Sequence, residues 1–286
     1  MRIHIVDAFT DRPFAGNPAA VCLLPAGAWP DDAWMLRVAA EMRHSETAFA
    51  LPLPASAEAD WAIRWFTPVV EAALCGHGTL ATAHVLRTEH QLTGTVRFLS
   101  RFHGVLTTTA DAAGAISLDF PATAAATAPA PEGLLAALGA EPVRTLRSEG
   151  LNDLLAVLPD EAAVRDLAPD MAAVAALTER EGLRSLIVTA PATGPGPEYD
   201  FVSRFFAPAR GIPEDPVTGS AHTVLAPYWS ARLGRAELTG LQASARTGLI
   251  RTAVRGDRVH LTGRAVTVLD GTLRIPVAGD GSGAGS

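Results

Sequence analysis

The sequence predicts an α+β fold made of two similar halves, and three observations support this prediction. Many short apolar segments of strand character alternate with a few helical patterns. A nine-residue segment at 60–68 has a counterpart at 200–208, which indicates an internal duplication. The 286 residues are enough for two domains of ordinary size. We therefore expect two α+β domains, each carrying one copy of the repeated pattern.

The duplication rests on matched residue types. Segments 60–68 and 200–208 share Asp, Arg, Phe and Pro at equivalent positions. Glu71 and Glu214 then each precede a glycine by five positions, so the second copy contains an insertion of three residues. Upstream, a weaker match pairs 46–52 with 153–159 and places Glu46 opposite Asp153. Chance similarity between short β-rich segments is the alternative explanation for this weaker match.

The expected domain boundary lies in segment 121–131, which contains three prolines and has no amphipathic period. This indicates a linker between a first half at 1–122 and a second half at 131–278. Residues 279–286 are rich in glycine and are predicted to form a flexible tail. A second surface loop is expected at 191–197.

The elements follow from local patterns and from helix-capping residues such as Asp31. Strands are predicted at 2–8, 19–24, 47–52, 61–66, 104–109, 153–158, 184–189, 199–206, 248–253 and 258–268. Helices are predicted at 31–43, 79–90, 132–139, 170–180 and 221–234.

Composition excludes several classes of function. The formal net charge of −7 argues against a nucleic-acid partner, and the apolar runs are too short and broken to span a membrane. All 23 basic residues are arginine, so neither a pyridoxal-phosphate Schiff base nor a Walker-type phosphate loop can form. The eight histidines are scattered, and no metal site is predicted. With two cysteines and no leader-like start, a cytoplasmic location is expected.

Two turns of small residues, one at 75–79 and one at 215–221, are the strongest signal of chemical function. Each is followed by a predicted helix. Backbone N–H groups at such helix starts can bind a substrate carboxylate and stabilise negative charge that develops beside it. Within these turns His77, Asp215 and Ser220 are candidate catalytic residues, although each also has an ordinary structural role in a turn. The residues expected to bind substrate are Gly76, Gly78 and Thr79 in the first turn, and Gly219 and Ala221 in the second.

Glu46 is the candidate proton carrier. It lies between the predicted helix at 31–43 and an apolar strand, with few charged neighbours. Burial at such a position raises the pKa of a carboxyl group towards neutrality and makes it a competent acid and base. A solvated glutamate at the start of a strand is the alternative.

The chain resembles the PhzF-like (phenazine biosynthesis) family of the diaminopimelate epimerase superfamily. The matching motifs extend over nearly the whole chain and occur in the order typical of the family. They are Val6-Asp7-Ala8-Phe9-Thr10, Phe14-Ala15-Gly16-Asn17-Pro18-Ala19-Ala20-Val21, Ser45-Glu46-Thr47-Ala48-Phe49, Phe66-Thr67-Pro68, Cys75-Gly76-His77-Gly78-Thr79-Leu80, Glu214-Asp215-Pro216-Val217-Thr218-Gly219-Ser220-Ala221-His222 and Gln242-Ala243-Ser244-Ala245-Arg246.

The resemblance implies two domains, each a β-barrel around a central helix, with the active site in the cleft between them. It also implies a homodimer and cofactor-free proton transfer on a small carboxylate such as a dihydro-hydroxyanthranilate. The family's catalytic Glu, His, Asp and Ser fall on Glu46, His77, Asp215 and Ser220.

Diaminopimelate epimerase resembles this chain at the same turns but has a cysteine on each side of the substrate carbon. Here Cys75 is paired with Thr218, whose hydroxyl is too weak an acid to replace a thiolate. A one-base isomerisation by Glu46 is therefore the leading hypothesis. A Cys75-dependent epimerase, racemase or lyase and a non-catalytic protein-binding module are the alternatives.

Overall fold

The computed structural model describes residues 1–55, 57–193 and 198–274. The predicted tail at 279–286 lies outside the described residues, as does most of the loop expected at 191–197. Among the helices of the described residues, none combines the length and the apolar character needed to cross a membrane.

The chain divides into two compact units that are interlaced along the sequence. Unit 1 comprises Met1–Ala8, Pro18–Ile116 and the segment that begins at Ala265, and unit 2 comprises Phe9–Asn17 and Ser117–Arg264. The predicted division into 1–122 and 131–278 therefore needs correction, because each unit takes up a segment from the far end of the other half.

Backbone hydrogen bonds explain both exchanged segments. The first strand pairs along its whole length with the last strand, from Arg2 opposite Thr272 to Ala8 opposite Ala265. The segment 9–17 is bound to the second half, because the carbonyl of Phe9 accepts from the N–H of Leu249. Neither of these long-range pairings could be predicted from local sequence composition.

Unit 1 contains a mixed sheet and two helices. The strands are β1 (Arg2–Ala8), β2 (Asn17–Leu23), β3 (Glu46–Pro52), β4 (Trp61–Phe66), β5 (Glu71–Ala72), β6 (Val96–Ser100), β7 (Gly104–Ala110) and β18 (Ala265–Thr272), and the helices are α1 (Asp32–Met42) and α2 (Gly76–Glu89).

Unit 2 has more helices around a sheet of the same kind. The strands are β8 (Ile116–Pro121), β9 (Ala125–Thr127), β10 (Arg144–Ser148), β11 (Asp153–Val157), β12 (Ser185–Pro191), β13 (Phe201–Ala207), β14 (Ile212–Asp215), β15 (Glu237–Gln242), β16 (Gly248–Arg255) and β17 (Arg258–Gly263); the helices are α3 (Leu134–Leu138), α4 (Glu161–Arg165), α5 (Met171–Arg180) and α6 (Gly219–Leu233), with a 3₁₀ turn at Pro208–Arg210.

The strand pairings repeat in the two units. In unit 1, β2 and β3 are parallel, β3 and β4 antiparallel, β4 and β5 antiparallel, β4 and β6 parallel, and β6 and β7 antiparallel. In unit 2 the same series runs through β11, β12, β13, β14, β15 and β16. The 3₁₀ turn between β13 and β14 accounts for the three-residue insertion. The duplicated α+β architecture is thus present in the backbone.

Each unit has one helix that its strands surround. Helix α2 packs against β1, β3 and β18, and α6 packs against β15, β16 and β17. Both helices bury apolar and small residues around most of their circumference, unlike an amphipathic surface helix. By contrast α1 is amphipathic and begins at the N-cap Asp31, whose side chain accepts from the N–H of Ala33 at 2.7 Å. The strands therefore place the starts of α2 and α6 deep in their units.

A buried ion pair is duplicated with the fold. The guanidinium of Arg64 binds Glu71 through two hydrogen bonds of 2.7 Å, and Arg204 binds Glu214 through bonds of 2.8 and 2.9 Å. Both pairs connect the strand before the turn with the short strand that leads into it. They fix the approach of the chain to each central helix.

Two predicted segments differ from the structure. The expected linker at 121–131 contains β9, which pairs with β10 because its backbone is extended beside that strand. The expected strand at 258–268 is divided into β17 and β18, because the chain leaves unit 2 after Arg264 and enters unit 1 at Ala265.

Candidate active site

Glu46, His77 and Cys75 form a compact group in unit 1. Glu46 is the first residue of β3, and His77 lies in the first turn of α2, which packs against that strand. Nε2 of His77 lies 3.3 Å from Oε2 of Glu46 and 3.3 Å from Oγ of Ser45. The sulfur of Cys75 lies 3.6 Å from Nδ1 of His77. The structure therefore brings together two of the four predicted catalytic residues and adds Ser45 and Cys75.

The carboxyl group of Glu46 is in an unusual environment for a charged group. Its side chain retains 14% exposure, while Oε2 is buried and makes no hydrogen bond within the described residues. Burial raises the pKa of Glu46 from 4.5 to about 7, and a hydrogen bond from Ser45 offsets this only in part. A carboxyl group with such a pKa can both take and return a proton near neutrality.

The first glycine turn is closed by Cys75. Cys75 is the N-cap of α2, and its sulfur accepts from the N–H of Gly78 at 3.2 Å. A Cβ on Gly78 would lie 2.9 Å from this sulfur and 2.9 Å from Cδ1 of Trp65, so only glycine fits. Thr79 directs both its N–H and its hydroxyl to the carbonyl of Cys75. The N–H groups of Gly78 and Thr79 and the Thr79 hydroxyl are thus all bound within the turn, and the roles of Gly76, Gly78 and Thr79 in binding substrate stay predictions.

The same group has the donor types of a metal site. One oxygen of Glu46, the sulfur of Cys75 and one ring nitrogen of His77 all lie within 4.8 Å of one another. Thiolate, imidazole and carboxylate are ligands that Zn²⁺ accepts. A metal bound here would occupy the lone pairs that proton transfer by Glu46 requires.

The second turn, in unit 2, is organised around Asp215. This residue ends β14 and is 6% exposed. Its carboxylate accepts from Nδ2 of Asn17 at 2.8 Å and from the hydroxyl of Thr218. Both structural and catalytic roles were open for Asp215, and these bonds show that it at least fixes the turn.

Gln242 fixes the same turn from β15. Its Oε1 accepts from the N–H of Thr218 at 2.7 Å, and its Nε2 donates to the carbonyl of Asp215 at 2.6 Å. Arg246 reaches segment 9–17, where it donates to the carbonyls of Ala15 and Gly16 at 3.1 Å. The motif at 242–246 therefore holds the turn and the adjacent segment in place.

Ser220 lies in the first turn of α6 and accepts a hydrogen bond from NH1 of Arg184 at 3.0 Å. Gly219 and Ala221, on either side of it, are both buried. Nε and NH2 of Arg184 in turn donate to Asp153 at 2.8 and 2.6 Å, and the hydroxyl of Ser185 donates to the same carboxylate at 2.6 Å. Asp153 is fully buried. Ser220 is thus hydrogen-bonded to an ion pair whose carboxylate is buried and whose arginine is 30% exposed.

The predicted pairing of Glu46 with Asp153 is wrong. Strand register gives Thr47 opposite Phe66 in unit 1 and Leu186 opposite Phe206 in unit 2. Since Phe66 and Phe206 are equivalent in the repeat, the counterpart of Glu46 is Ser185. Asp153 lies on the preceding strand, opposite Ser185, just as Ala19 lies opposite Glu46.

Sequence reasoning assigned no role to Ser45, Arg184, Ser185 or Gln242. A signal for Gln242 existed, because it belongs to a motif shared with the resembled family. Arg184 and Ser185 carried no comparable signal, since a correct alignment of the repeat depends on strand register.

The chain is similar to a known protein family in sequence and to solved members of that family in structure. The family described as phenazine biosynthesis-like protein matches residues 6–271. An uncharacterized isomerase of Pseudomonas aeruginosa is 44% identical over 278 residues, covering 96% of this chain and 99% of that protein. A PhzF-family phenazine biosynthesis protein of Enterococcus faecalis has a similar structure, with a TM-score of 0.85 and 39% identity over 94% of this chain and 97% of that one.

A more distant similarity concerns the fold alone. A probable proline racemase of Agrobacterium radiobacter superposes with a TM-score of 0.62 at 11% identity, covering 96% of this chain and 93% of that one. The duplicated α+β architecture described above is therefore the diaminopimelate epimerase-like fold that the sequence predicts.

Proposed function

Since the chain belongs to the phenazine biosynthesis-like (PhzF) family, whose curated relatives include proteins named as isomerases, we propose that it is an isomerase acting on a small carboxylate. In this proposal Glu46 takes a proton from one carbon of the substrate and returns it to another carbon. The electron pair left by the first step is delocalised towards the substrate carboxylate until the proton is returned. The reaction then consumes no cofactor, because no electrons leave the substrate.

The environment of Glu46 is the observation that carries the proposal. Its pKa of about 7 means that both protonation states are populated near neutrality, as a proton-shuttling group requires. The buried Oε2, which makes no hydrogen bond within the described residues, has lone pairs available for the proton. His77 next to it can orient the substrate or polarise it.

The internal repeat favours one base over two. Ser185, the counterpart of Glu46, has a hydroxyl that donates to the buried Asp153, so it cannot replace a carboxylate base. Thr218, the counterpart of Cys75, donates its hydroxyl to Asp215. Unit 2 therefore repeats the frame of unit 1 without repeating its acid–base groups.

In this proposal Ser220, Asp215 and the start of α6 bind and polarise a carboxylate rather than transfer the proton. Ser220 and the backbone N–H groups at the start of α6 are donors suited to a carboxylate. Asp215, held by Asn17 and Thr218, keeps the turn in shape and presents a carboxylate to a polar group of the substrate.

A second candidate function is epimerisation or racemisation that uses Cys75. Its sulfur lies at the N-terminus of α2 and 3.6 Å from a nitrogen of His77, close enough to exchange a proton with the imidazole. Unchanged turnover by a Cys75→Ala variant would eliminate this candidate. Loss of turnover in Cys75→Ala with full turnover in Glu46→Gln would replace the leading proposal with it.

The direct test follows hydrogen exchange with solvent. The protein is incubated in D₂O with a panel of small cyclic unsaturated carboxylates that includes dihydro-hydroxyanthranilate, and deuterium incorporation is measured by NMR. We expect Glu46→Gln to abolish incorporation with the fold retained. Glu41→Gln, which changes an exposed carboxylate of α1, is the matched control and should keep wild-type activity. Wild-type incorporation by Glu46→Gln would overturn the proposal.

A further inference from the structure

The hydroxyl of Ser220 has only one direction left for its proton. Its oxygen accepts a hydrogen bond from NH1 of Arg184 at 3.0 Å. A serine hydroxyl has a single proton, and an arginine can only donate. Among the described residues Ser220 makes no other side-chain hydrogen bond, so its proton points away from Arg184 and towards whatever occupies the turn.

Arg184 is held firmly enough to impose this orientation. Two of its nitrogens bind the two oxygens of Asp153, which is 0% exposed. Its guanidinium also lies 5.5 Å from the ring centre of Phe205. A bidentate pair that is anchored on a buried carboxylate fixes the plane of the guanidinium, and the remaining nitrogen NH1 is then directed at Ser220.

The strand register makes Arg184 of unit 2 the counterpart of Ser45 of unit 1. The alignment of the two turns makes Ser220 the counterpart of His77. In unit 1 the hydroxyl of Ser45 lies 3.3 Å from the ring of His77. In unit 2 the same place in the fold holds a guanidinium next to a hydroxyl. In unit 1 this contact therefore joins a hydroxyl to an imidazole. In unit 2 it joins a guanidinium that donates to a hydroxyl, and the hydroxyl keeps its own proton to donate elsewhere.

We propose that Arg184 is a positioning residue that makes Ser220 a hydrogen-bond donor to a carboxylate oxygen of the substrate. This inference rests on the proposed function, in which Ser220 binds the substrate carboxylate, and adds Arg184 as the residue that orients the Ser220 hydroxyl. An acceptor-only group fits because NH1 of Arg184 and the Ser220 hydroxyl each have a proton to donate. Thr218, the N-cap of α6, makes no side-chain cap, so no protein acceptor occupies the first turn from that position.

The test measures binding without turnover. Benzoate and benzamide have the same ring and nearly the same shape, but only benzoate is an anion. We expect the wild-type protein to bind benzoate at least about 10-fold more tightly than benzamide in calorimetric titrations. Ser220→Ala and Arg184→Lys should each lower benzoate affinity by about 10-fold and benzamide affinity by less, because a neutral amide carbonyl is a weaker acceptor than a carboxylate. Ser220→Thr, which keeps a hydroxyl, should restore most of the preference.

The double variant distinguishes a positioning role from an independent one. If Arg184 acts through Ser220, adding Arg184→Lys to Ser220→Ala causes no further loss of benzoate affinity. Additive losses would overturn the proposal, as would a wild-type protein without a preference for benzoate. Arg144→Lys, at an exposed position of β10, is the matched control.

Deuterium exchange and benzoate selectivity distinguish failure of the isomerase proposal from failure of the Arg184 proposal. Glu46→Gln should keep the benzoate preference, because carboxylate recognition needs no proton transfer. A Glu46→Gln protein that still exchanges deuterium would overturn the isomerase proposal, while the selectivity changes in the Ser220 and Arg184 variants would still support carboxylate recognition.

Discussion

Glu46 and Ser185 occupy the same place in the two units: each begins a strand that runs parallel to the strand before it and antiparallel to the strand after it. One residue is a buried carboxylic acid, and the other is a hydroxyl that donates to Asp153. The two copies of the duplicated fold thus have the same strand pairings but carry different functional groups at this position.

The first prediction concerns the pH dependence of activity. Glu46 must be ionised to take a proton, and its pKa is about 7. We therefore expect kcat/KM in the direction that starts with proton removal to fall about 10-fold for each pH unit below this value. The hydrogen bond from Ser45 lowers the pKa, so Ser45→Ala should move the midpoint to higher pH. A midpoint near 4.5 in the wild-type protein would contradict the assignment.

The second prediction concerns stability. The pKa of Glu46 is raised on folding, so the folded protein binds this proton more tightly than the unfolded chain does. Stability from this group is present below pH 4.5 and is lost as the pH rises towards 7 and above. The difference is on the order of 3 kcal/mol. In urea unfolding, Glu46→Gln should therefore be more stable than wild type at pH 8, and the advantage should shrink at pH 5.

The third prediction concerns the buried pair of Arg64 and Glu71. The side chains of Arg64 and Glu71 are 7% and 14% exposed, so Arg64→Met leaves a largely buried carboxylate with the exposed Arg101 as its remaining partner. We expect a loss of about 3 kcal/mol in the free energy of unfolding. Arg97→Met removes an exposed pair with Asp60 in the same unit and should cost less than about 1 kcal/mol. Equal losses would show that burial does not govern the effect.

The fourth prediction concerns Gly78. A methyl group at this position would lie 2.9 Å from the sulfur of Cys75 and 2.9 Å from Trp65, so Gly78→Ala must displace the start of α2. We expect a loss of activity of at least about 100-fold, because misplacement by about 1 Å is enough for such a loss. Gly150→Ala meets only one methyl group at 3.5 Å and should leave deuterium incorporation unchanged.

The fifth prediction concerns metals. Dialysis against EDTA should leave turnover intact, because in the proposed reaction the side chain of Glu46, and no metal ion, takes and returns the proton. Added Zn²⁺ should inhibit, since Glu46, Cys75 and His77 provide three suitable ligands. Cys75→Ser should weaken this inhibition with turnover retained. Loss of activity in EDTA, with recovery on adding Zn²⁺, would show a metalloenzyme instead.

Local patterns in the sequence were sufficient for the repeated frame and for naming Glu46 and His77 as candidates, whereas the resemblance to the PhzF-like family implied that they share one site. Both depend on signals that are local in the chain: a matched nine-residue pattern, glycine turns at helix starts and a glutamate that precedes an apolar strand. The residues near Ser220 were not predictable in this way. Arg184 contacts Ser220 across 36 residues of sequence, and only the register of β12 reveals which position it occupies.

The pairing of Glu46 with Asp153 failed for a related reason. Both residues precede apolar strands, and such strands resemble one another in any β-rich chain. The interlaced boundaries were equally invisible, because the hydrogen bonds that join β1 to β18 connect residues more than 250 positions apart.

The pairing of β1 with β18 also has a consequence for how the chain matures. Unit 1 contains the proposed base, yet β1 gains this partner only when residues 265–272 have been synthesised. During translation the first unit must therefore wait, with one edge unpaired, while almost all of the second unit is made. The segment with Glu46 is among the first to be synthesised, but the sheet around it is among the last to be finished.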